Sequence, residues 1–368
     1  MTKKMNIAVI FGGRSGEHEV SLMSARSVLS VLNLEKFDVT QIGITHEGAW
    51  LTGKNVIEAF ESNALDHLYP VVLLPEPRGG MLYTLKGTAL EPLAKMDVVF
   101  PVLHGTFGED GTMQGLLELA DVAYVGCGVL SSSVGMDKNL FKDVMRTNHI
   151  PVVDSVLANR ADITNAMETT IQRIEAQCAY PVFVKPANLG SSVGITKCNN
   201  RSDLLEGLME AARFDRRVLI ERGVNAREIE VSVLGNADPI ASIAGEIRPM
   251  DEFYTYEAKY LLDTSELIIP ADVDAATMAK IREVAIAAFK AIDGAGMARV
   301  DFLLDRDTNE IYLNEVNTIP GFTKISMYPK LWAATGVSYA ELVDQLIDLA
   351  LQRKAERDNT ERIFRSNE

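Results

Sequence analysis

Cysteine is scarce in this chain of 368 residues: only Cys127, Cys178 and Cys198 occur, and no two form a C-x-x-C pair. An odd, scattered set gives neither a disulfide framework nor a cysteine zinc site, and it suits a reducing compartment. Long apolar runs are absent too. The run after the N-terminal lysines, residues 5–11, is too short for a signal peptide or a membrane span, and glycines and charges follow at once. Positive charge is in deficit, with 36 Lys and Arg against 51 Asp and Glu and a net charge of −15. That argues against nucleic acid or an anionic membrane as the main partner, although a local basic pocket for phosphates remains compatible. Two phosphate-binding signatures are also missing. The first glycine turn reads G-G-x-x-G-E rather than G-x-G-x-x-G, so a Rossmann dehydrogenase is a poor fit. No G-K-[S/T] follows a glycine run, so there is no Walker A loop.

What is present is ordinary for a soluble globular protein with a real core: 47% hydrophobic and 24% charged residues. A cytoplasmic location is expected. The length allows two or three domains. Residues 5–11, 37–45, 97–103 and 123–125 read as strands, and 20–32 and 112–120 as helices. This βα alternation predicts a parallel sheet covered by helices. Residues 137–148 read as a helix that Pro151 closes. From there the pattern becomes mixed α+β, with strands ending at Lys185 and spanning 194–197 and 217–221, and a helix from Ser202. The last third reads as an antiparallel set at 228–234 and 239–247, a polar aromatic loop at 249–265, a long helix at 274–292, a hairpin and a terminal helix at 339–354. The expected fold class is therefore α/β, with α+β in the later parts, arranged as three compact domains around a cleft.

Five constellations carry chemistry. In Gly12-Gly13-Arg14-Ser15-Gly16-Glu17-His18, Glu17 stands where an anion would otherwise meet the helix N-terminus. It could grip an ammonium group or simply cap the helix. His104 opens a glycine-rich loop, His104–Thr112, at a strand's carboxyl end, where ligand crevices of open sheets lie. A satisfied core imidazole is the alternative. Lys185-Pro186 enters a Gly190-Ser191-Ser192-Val193-Gly194 tip that can offer an ammonium and backbone N–H groups to phosphate. Strand 217–221, with Glu221 at its end, leads across a hinge toward Glu228 and Glu230, which share a face and could accept ribose hydroxyls. The loop carrying Tyr254, Tyr256, Lys259 and Tyr260 suits a lid that excludes water.

Beyond these five, the most informative stretch is the hairpin of residues 298–304 and 311–322, joined by an Asp305–Asn309 turn. Strand alternation puts Arg299 and Asp301 on one side of the first strand, and Glu315 and Asn317 on one side of the second. Three hard-oxygen ligands beside a guanidinium build a poor core. They suit Mg²⁺ on a nucleotide's phosphates.

With these motifs in family order, the chain resembles the ATP-grasp enzymes and, within them, the D-alanine–D-alanine ligase family. The match covers residues 5–351 and rests on GGRSGEHEVS, HGTFGEDGT, VKPANLGSSVG, YEAKY, GMARVDF and NEVNTIPGFT. The resemblance implies a three-domain ATP-grasp architecture: 1–126 for substrate, 127–221 and 222–368 for ATP, with a lid at 249–265. It implies that Glu17, Ser191 and Tyr260 form a triad beside a first D-alanine, with His104 and Tyr254 nearby. Lys138, Lys185, Ser192 and Lys259 would bind ATP phosphates, and Glu221 and Glu228 adenine and ribose. Asp301, Glu315 and Asn317 would hold two Mg²⁺ ions, which Mn²⁺ could replace. Arg299 and the Gly321 N–H would stabilise the reacting carbonyl, and Ser326 would hold the second D-alanine's carboxylate. ATP and D-alanine are the implied small-molecule partners, and a homodimer the implied assembly. A D-alanine–D-lactate ligase and a non-catalytic nucleotide-binding module are the rival readings, and YEAKY and the full set of Arg299, Asp301, Glu315 and Asn317 weigh against them.

Overall fold

The computed structural model describes residues 4–77, 79–190, 193–248 and 266–361. The expected lid, with Tyr254, Lys259 and Tyr260, lies outside the described residues, as do Ser191 and Ser192. Three sheets organise the rest.

The first sheet contains β1 (Met5–Gly12), β2 (Phe37–Ile44), β3 (Trp50–Thr52), β4 (Tyr69–Leu73), β5 (Met81–Lys86), β6 (Ala89–Lys95), β7 (Val98–Val102) and β8 (Ala123–Tyr124). Its order is β6-β5-β4-β3-β2-β1-β7-β8. The β2-β1-β7-β8 half is parallel, as the βα alternation predicts. Both faces of β7 are buried, hence its unbroken Val-Val-Phe-Pro-Val. The stretch between residues 50 and 95, which carries Pro75, Pro77, Gly79 and Gly80, adds four antiparallel strands. Its edge strand β6 is exposed along nearly its whole length, so no hydrophobic period marks it. Helices α1 (His18–Leu29), α2 (Val56–Glu61) and α3 (Thr112–Leu119) flank this sheet.

After α4 (Val129–Met136) and α5 (Lys138–Thr147) comes an antiparallel sheet in the order β11-β10-β12-β9. Its strands are β9 (Ser155–Asn159), β10 (Val182–Pro186), β11 (Thr196–Cys198) and β12 (Arg217–Arg222), with helices α6 (Arg160–Asn165), α7 (Met167–Glu175) and α8 (Arg201–Phe214). Val182, Val184, Val218 and Ile220 pack against Leu204, Leu208 and Ala211 of α8.

The third sheet runs β15-β14-β13-β16-β17. It comprises β13 (Ala226–Gly235), β14 (Ile240–Arg248), β15 (Glu266–Ile268), β16 (Gly296–Asp305) and β17 (Ile311–Asn317), all antiparallel. Ile229, Val231, Val233, Val300 and Phe302 point to one face and bury against α9 (Ala275–Ala291). Helix α10 (Met327–Thr335) covers one end of the opposite face, where the Ser232 hydroxyl donates to the Tyr328 carbonyl at 3.1 Å. The last helix, α11 (Tyr339–Asp358), returns to the first sheet. Its Leu342, Val343, Leu346 and Ile347 share a core with Phe100, Val102, Ala123 and Phe322. Chain ends that are distant in sequence therefore pack together, and the third sheet is fixed against the first. No helix among the described residues is long and apolar enough to cross a membrane.

Candidate active site

The turn after β1 demands glycine. Gly12 and Gly13 sit at φ +86° and +106°, and a Cβ on Gly12 would lie 2.3 Å from the Ile44 carbonyl oxygen. The turn brings Glu17 to the N-cap position of α1, where its side chain makes no capping hydrogen bond. Its carboxylate instead faces two glycine loops. A Cβ on Gly105 would lie 2.4 Å from Glu17 Oε2, and one on Gly190 would lie 3.3 Å from it. Glu17 thus meets the loop after β7 and the hairpin tip after β10.

His104 is buried with both ring nitrogens engaged. Nδ1 donates to the Ile319 carbonyl at 3.0 Å, and Nε2 lies 3.0 Å from the Ser24 hydroxyl. Because a carbonyl can only accept, Nδ1 carries the proton and Nε2 accepts from Ser24. Ser24 Oγ in turn accepts the Phe322 N–H at 3.2 Å. This relay requires a neutral imidazole, and burial lowers the His104 pKa accordingly, against the pull of Glu17. His104 therefore ties the chain after β17 to the first sheet.

Glu109 completes that tie and is a residue the sequence reading left without a role. Its carboxylate accepts the Gly105 N–H at 2.7 Å and the Ile319 N–H at 3.1 Å. Burial first, then the neighbouring Glu17, push its pKa up to about 8. The available signal was an acidic residue inside a glycine-rich strand-end loop.

In the second sheet, Lys185 of β10 and Lys142 of α5 both reach Glu221 of β12. Lys142 Nζ is 2.7 Å from Glu221 Oε1, and Lys185 bonds the other oxygen. Only 2% of the Lys142 side chain and 6% of the Glu221 side chain are exposed, so the pair is interior, whereas Lys185 at 15% looks outward. Burial would raise the Glu221 pKa, but the two ammonium groups hold it far below the carboxylate range. Lys142 goes down because burial outweighs its half of the carboxylate, and Lys185 goes up because Glu221 outweighs burial. The Glu221 carboxylate is thus committed to lysines rather than presented to a base. Lys142, which nothing in the linear pattern distinguished, is the buried partner. Lys138, the first residue of α5, donates to the Leu189 carbonyl at 2.6 Å and so steadies the same hairpin.

The third sheet supplies the polar face. Register pairs Arg299 with Asn317 and Asp301 with Glu315 on β16 and β17, and Ser232 with Arg299 and Glu230 with Asp301 on β13. Arg299 grips Asp301 through Nε at 2.8 Å and Nη2 at 2.7 Å, and its Nε lies 3.1 Å from Glu230. Asn317 Nδ2 donates to the same Asp301 at 2.9 Å. Glu230 therefore orients the guanidinium, while Glu228, one step along the face, acts electrostatically on Lys185. A serine and a glycine meet nearby: a Cβ on Gly321 would lie 2.9 Å from Ser326 Oγ, which accepts the Thr323 N–H at 3.0 Å.

These groups face one space between the sheets. The charge of Arg299 acts on His104, and that of Glu315 acts on both Glu109 and Lys185. Lysines on one side, carboxylates and a guanidinium on another, and Glu17 on the third make a charged surround that suits anionic, phosphate-bearing ligands. Comparison with known proteins specifies the class. A family model described as the D-ala D-ala ligase N-terminus matches residues 6–127, and one for the D-ala D-ala ligase C-terminus matches 144–348. A D-alanine–D-alanine ligase of Heliobacterium modesticaldum is 50% identical over 364 residues, covering 98% of this chain and 99% of that protein. One from Acetivibrio thermocellus is 48% identical, covering 96% and 97%. Among solved structures, the D-alanine–D-alanine ligase from Coxiella burnetii superposes with a TM-score of 0.84 at 37% identity, over 97% of each chain. The VanG D-Ala:D-Ser ligase from Enterococcus faecalis does so at 0.85 and 38%, over 95% of this chain and 100% of that one. The chain belongs to the D-alanine–D-alanine ligase family.

Proposed function

We propose that this protein joins two D-alanine molecules into D-alanyl-D-alanine for peptidoglycan precursor synthesis, converting ATP to ADP and phosphate. The observation that carries this reading is the cleft that opposes Glu17 to the Lys185 wall and to the Arg299-Asp301-Glu315-Asn317 face, in a chain of this family. A carboxylate is a poor electrophile, so it must be activated. A carboxylate oxygen of the first D-alanine attacks the γ-phosphorus of ATP, the bond to the β–γ bridging oxygen breaks, and ADP leaves. The deprotonated amine of the second D-alanine then attacks the acyl carbon, and phosphate departs.

The residues divide this work. Glu17 grips the first ammonium group, and Lys138 and Lys185 meet the phosphates. Arg299 and the Gly321 N–H face the acyl carbon, and Ser326 the second carboxylate. His104 and Glu109 hold the 319–322 segment in register with the first sheet. Ser191, Ser192, Tyr254, Lys259 and Tyr260 keep the triad, phosphate and lid roles expected from their motifs. Glu228 faces the ribose, and Glu221 acts near adenine by fixing the lysines around it. Two carboxylates and an amide on one strand-pair face suit a hard divalent cation. Asp301, Glu315 and Asn317 would hold two Mg²⁺, with Mn²⁺ able to replace them, and the ions would neutralise charge on the transferring phosphoryl group. The three functional parts are 1–126, 127–221 and 222–368, in a cytoplasmic homodimer.

The D-Ala:D-Ser ligase neighbour makes the second substrate the point to test. With D-alanine alone the protein is expected to release phosphate from ATP and give a dipeptide of the mass of D-alanyl-D-alanine. Offered D-alanine, D-serine and D-lactate together at neutral pH, it is expected to give mainly that dipeptide. Predominant D-Ala-D-Ser or depsipeptide would reassign the acceptor, and no phosphate release would favour a non-catalytic nucleotide binder.

Gly105 tests Glu17 directly. At φ +72° it resists any side chain, and a methyl group would press on Glu17 Oε2. Gly105→Ala is expected to raise the KM for the first D-alanine about tenfold or more, since a small misplacement of a positioning group costs up to ~10²-fold. An unchanged KM would show that Glu17 does not set affinity for the first substrate.

A further inference from the structure

Beside the Gly12-Gly13 turn, two histidines and a glutamate come together: His18 and Glu19 from the first turn of α1, and His46 from the turn between β2 and β3. Among the described residues they are the three His, Cys, Asp or Glu side chains whose donor atoms all lie within 4.8 Å of one another. We propose that His18, Glu19 and His46 form a binding site for a divalent transition-metal ion, separate from the cation site on the phosphates.

His18 is a preformed ligand. It is 5% exposed; its ring stacks on that of His46 at a centroid distance of 3.9 Å and lies nearly parallel to that of Phe60 at 6.2 Å. Its Nδ1 lies 2.9 Å from the Gly13 carbonyl oxygen. A carbonyl can only accept, so Nδ1 carries the proton and Nε2 bears the lone pair. Backbone support at one imidazole nitrogen with the other left as donor atom is the arrangement metal-ligating histidines use. That Nε2 makes no hydrogen bond to any other described residue. The other two ligands can adjust. The His46 and Glu19 side chains are 62% and 66% exposed, and His46 Nε2 stands 3.9 Å from Glu19 Oε1. Ligand bonds of about 2.0–2.2 Å place donor atoms ~3.5 Å apart around a tetrahedral ion, so the exposed pair needs to close by roughly 0.4 Å. The exposed His46 ring, stacked at 24° to His18, also has to swing out of that stack, because an imidazole binds a metal in its own plane.

Two imidazoles and one carboxylate select the ion class. Nitrogen donors favour Zn²⁺, Co²⁺, Ni²⁺ and Cu²⁺ over Mg²⁺, which takes oxygen and water. Three protein ligands also leave a coordination position open. The bound ion would pin the β2–β3 turn to the start of α1.

The probe is Co²⁺, whose visible bands report imidazole ligation, titrated into the full-length protein with excess Mg²⁺ present. One equivalent is expected to bind with ligand-field absorption. His46→Ala and Glu19→Gln, both surface changes, are each expected to weaken Co²⁺ binding by at least about tenfold. Circular dichroism, and ATP turnover measured with Mg²⁺ but without Co²⁺, should match between the variants and the wild type, which separates a lost ligand from lost folding. Overturning results are a wild-type protein that binds no Co²⁺ under these conditions, or variants that bind it as tightly as the wild type.

Discussion

Glu315→Gln is expected to lower ATP turnover by about 100- to 1000-fold while leaving the fold intact, the cost typical of removing a group aimed at developing transition-state charge. The side chain keeps its shape, so the β16–β17 pairing of Asp301 with position 315 persists. What changes is one negative charge in a space where Arg299 is already bound by Asp301 and Glu230. A divalent cation at this face would lose one of its two carboxylates. Initial rates of ADP release measured against Mg²⁺ concentration check this, and the Mg²⁺ needed for half-maximal rate is expected to rise. A second signal follows from Glu109, whose pKa of about 8 owes part of its elevation to Glu315. Removing that charge lowers the Glu109 pKa, so a pH dependence arising from Glu109 shifts toward acid in the variant. Wild-type rates across the Mg²⁺ range would remove Glu315 from the metal site.

Glu221→Gln carries the largest expected cost in stability. It leaves Lys142 as an ammonium group in the protein interior with no compensating charge at 2.7 Å. Breaking a buried pair in this way costs about 3–5 kcal/mol, because the surviving charge stays desolvated. The pH dependence has a definite sign. In the wild type, the depressed Glu221 pKa contributes stability above the ordinary glutamate value of 4.5, and that contribution is lost as pH falls below it. In the variant, the Lys142 pKa falls further below its ordinary value of 10.5. The unfolded chain then binds more protons than the folded one, so stability rises with pH and the deficit shrinks toward pH 10. Urea unfolding at several pH values measures both. Adding Lys142→Met is expected to recover much of the loss, since a methionine fills a similar volume without charge. A single variant within 1 kcal/mol of wild type, flat in pH, would show that the cluster contributes nothing to stability.

The two variants also separate what local sequence encodes from what it leaves open. The polar face of β16 and β17 was legible because strand alternation is a local rule: Arg299 and Asp301, like Glu315 and Asn317, must share a side once both segments are strands, and the Asp305–Asn309 turn makes them a hairpin. The structure has this register, with a bulge after Asp301 that the pattern did not signal. The parallel core strands and the long helix α9 were legible for the same reason, since burial on one or both faces writes a period into the chain. Strands β3 to β6 and helices α6 and α7 escaped because they are short or largely exposed, and an exposed strand carries no hydrophobic period.

The Glu221 cluster was not legible at all. Lys142, Lys185 and Glu221 lie on a helix and two strands, and no spacing rule relates them. Sequence suggested Glu221 as a ligand contact, whereas the structure gives its carboxylate to two lysines. His104 likewise read as a strand-end candidate, and only its distances to Ile319 and Ser24 show that both nitrogens are in use. Glu230 shared a face with Glu228 in sequence, and only pairing with β16 gives it to Arg299.

By itself, then, the sequence determined which residues lie on which side of each regular element, and its ordered motifs determined the family. The tertiary structure decided which charges neutralise one another and which remain turned toward the cleft. Alternation and helical period follow from backbone geometry within a few residues. An ion pair or hydrogen bond between residues as far apart as His104 and Ile319 depends on how whole sheets pack, here through a terminal helix that carries the end of the chain back onto its first sheet.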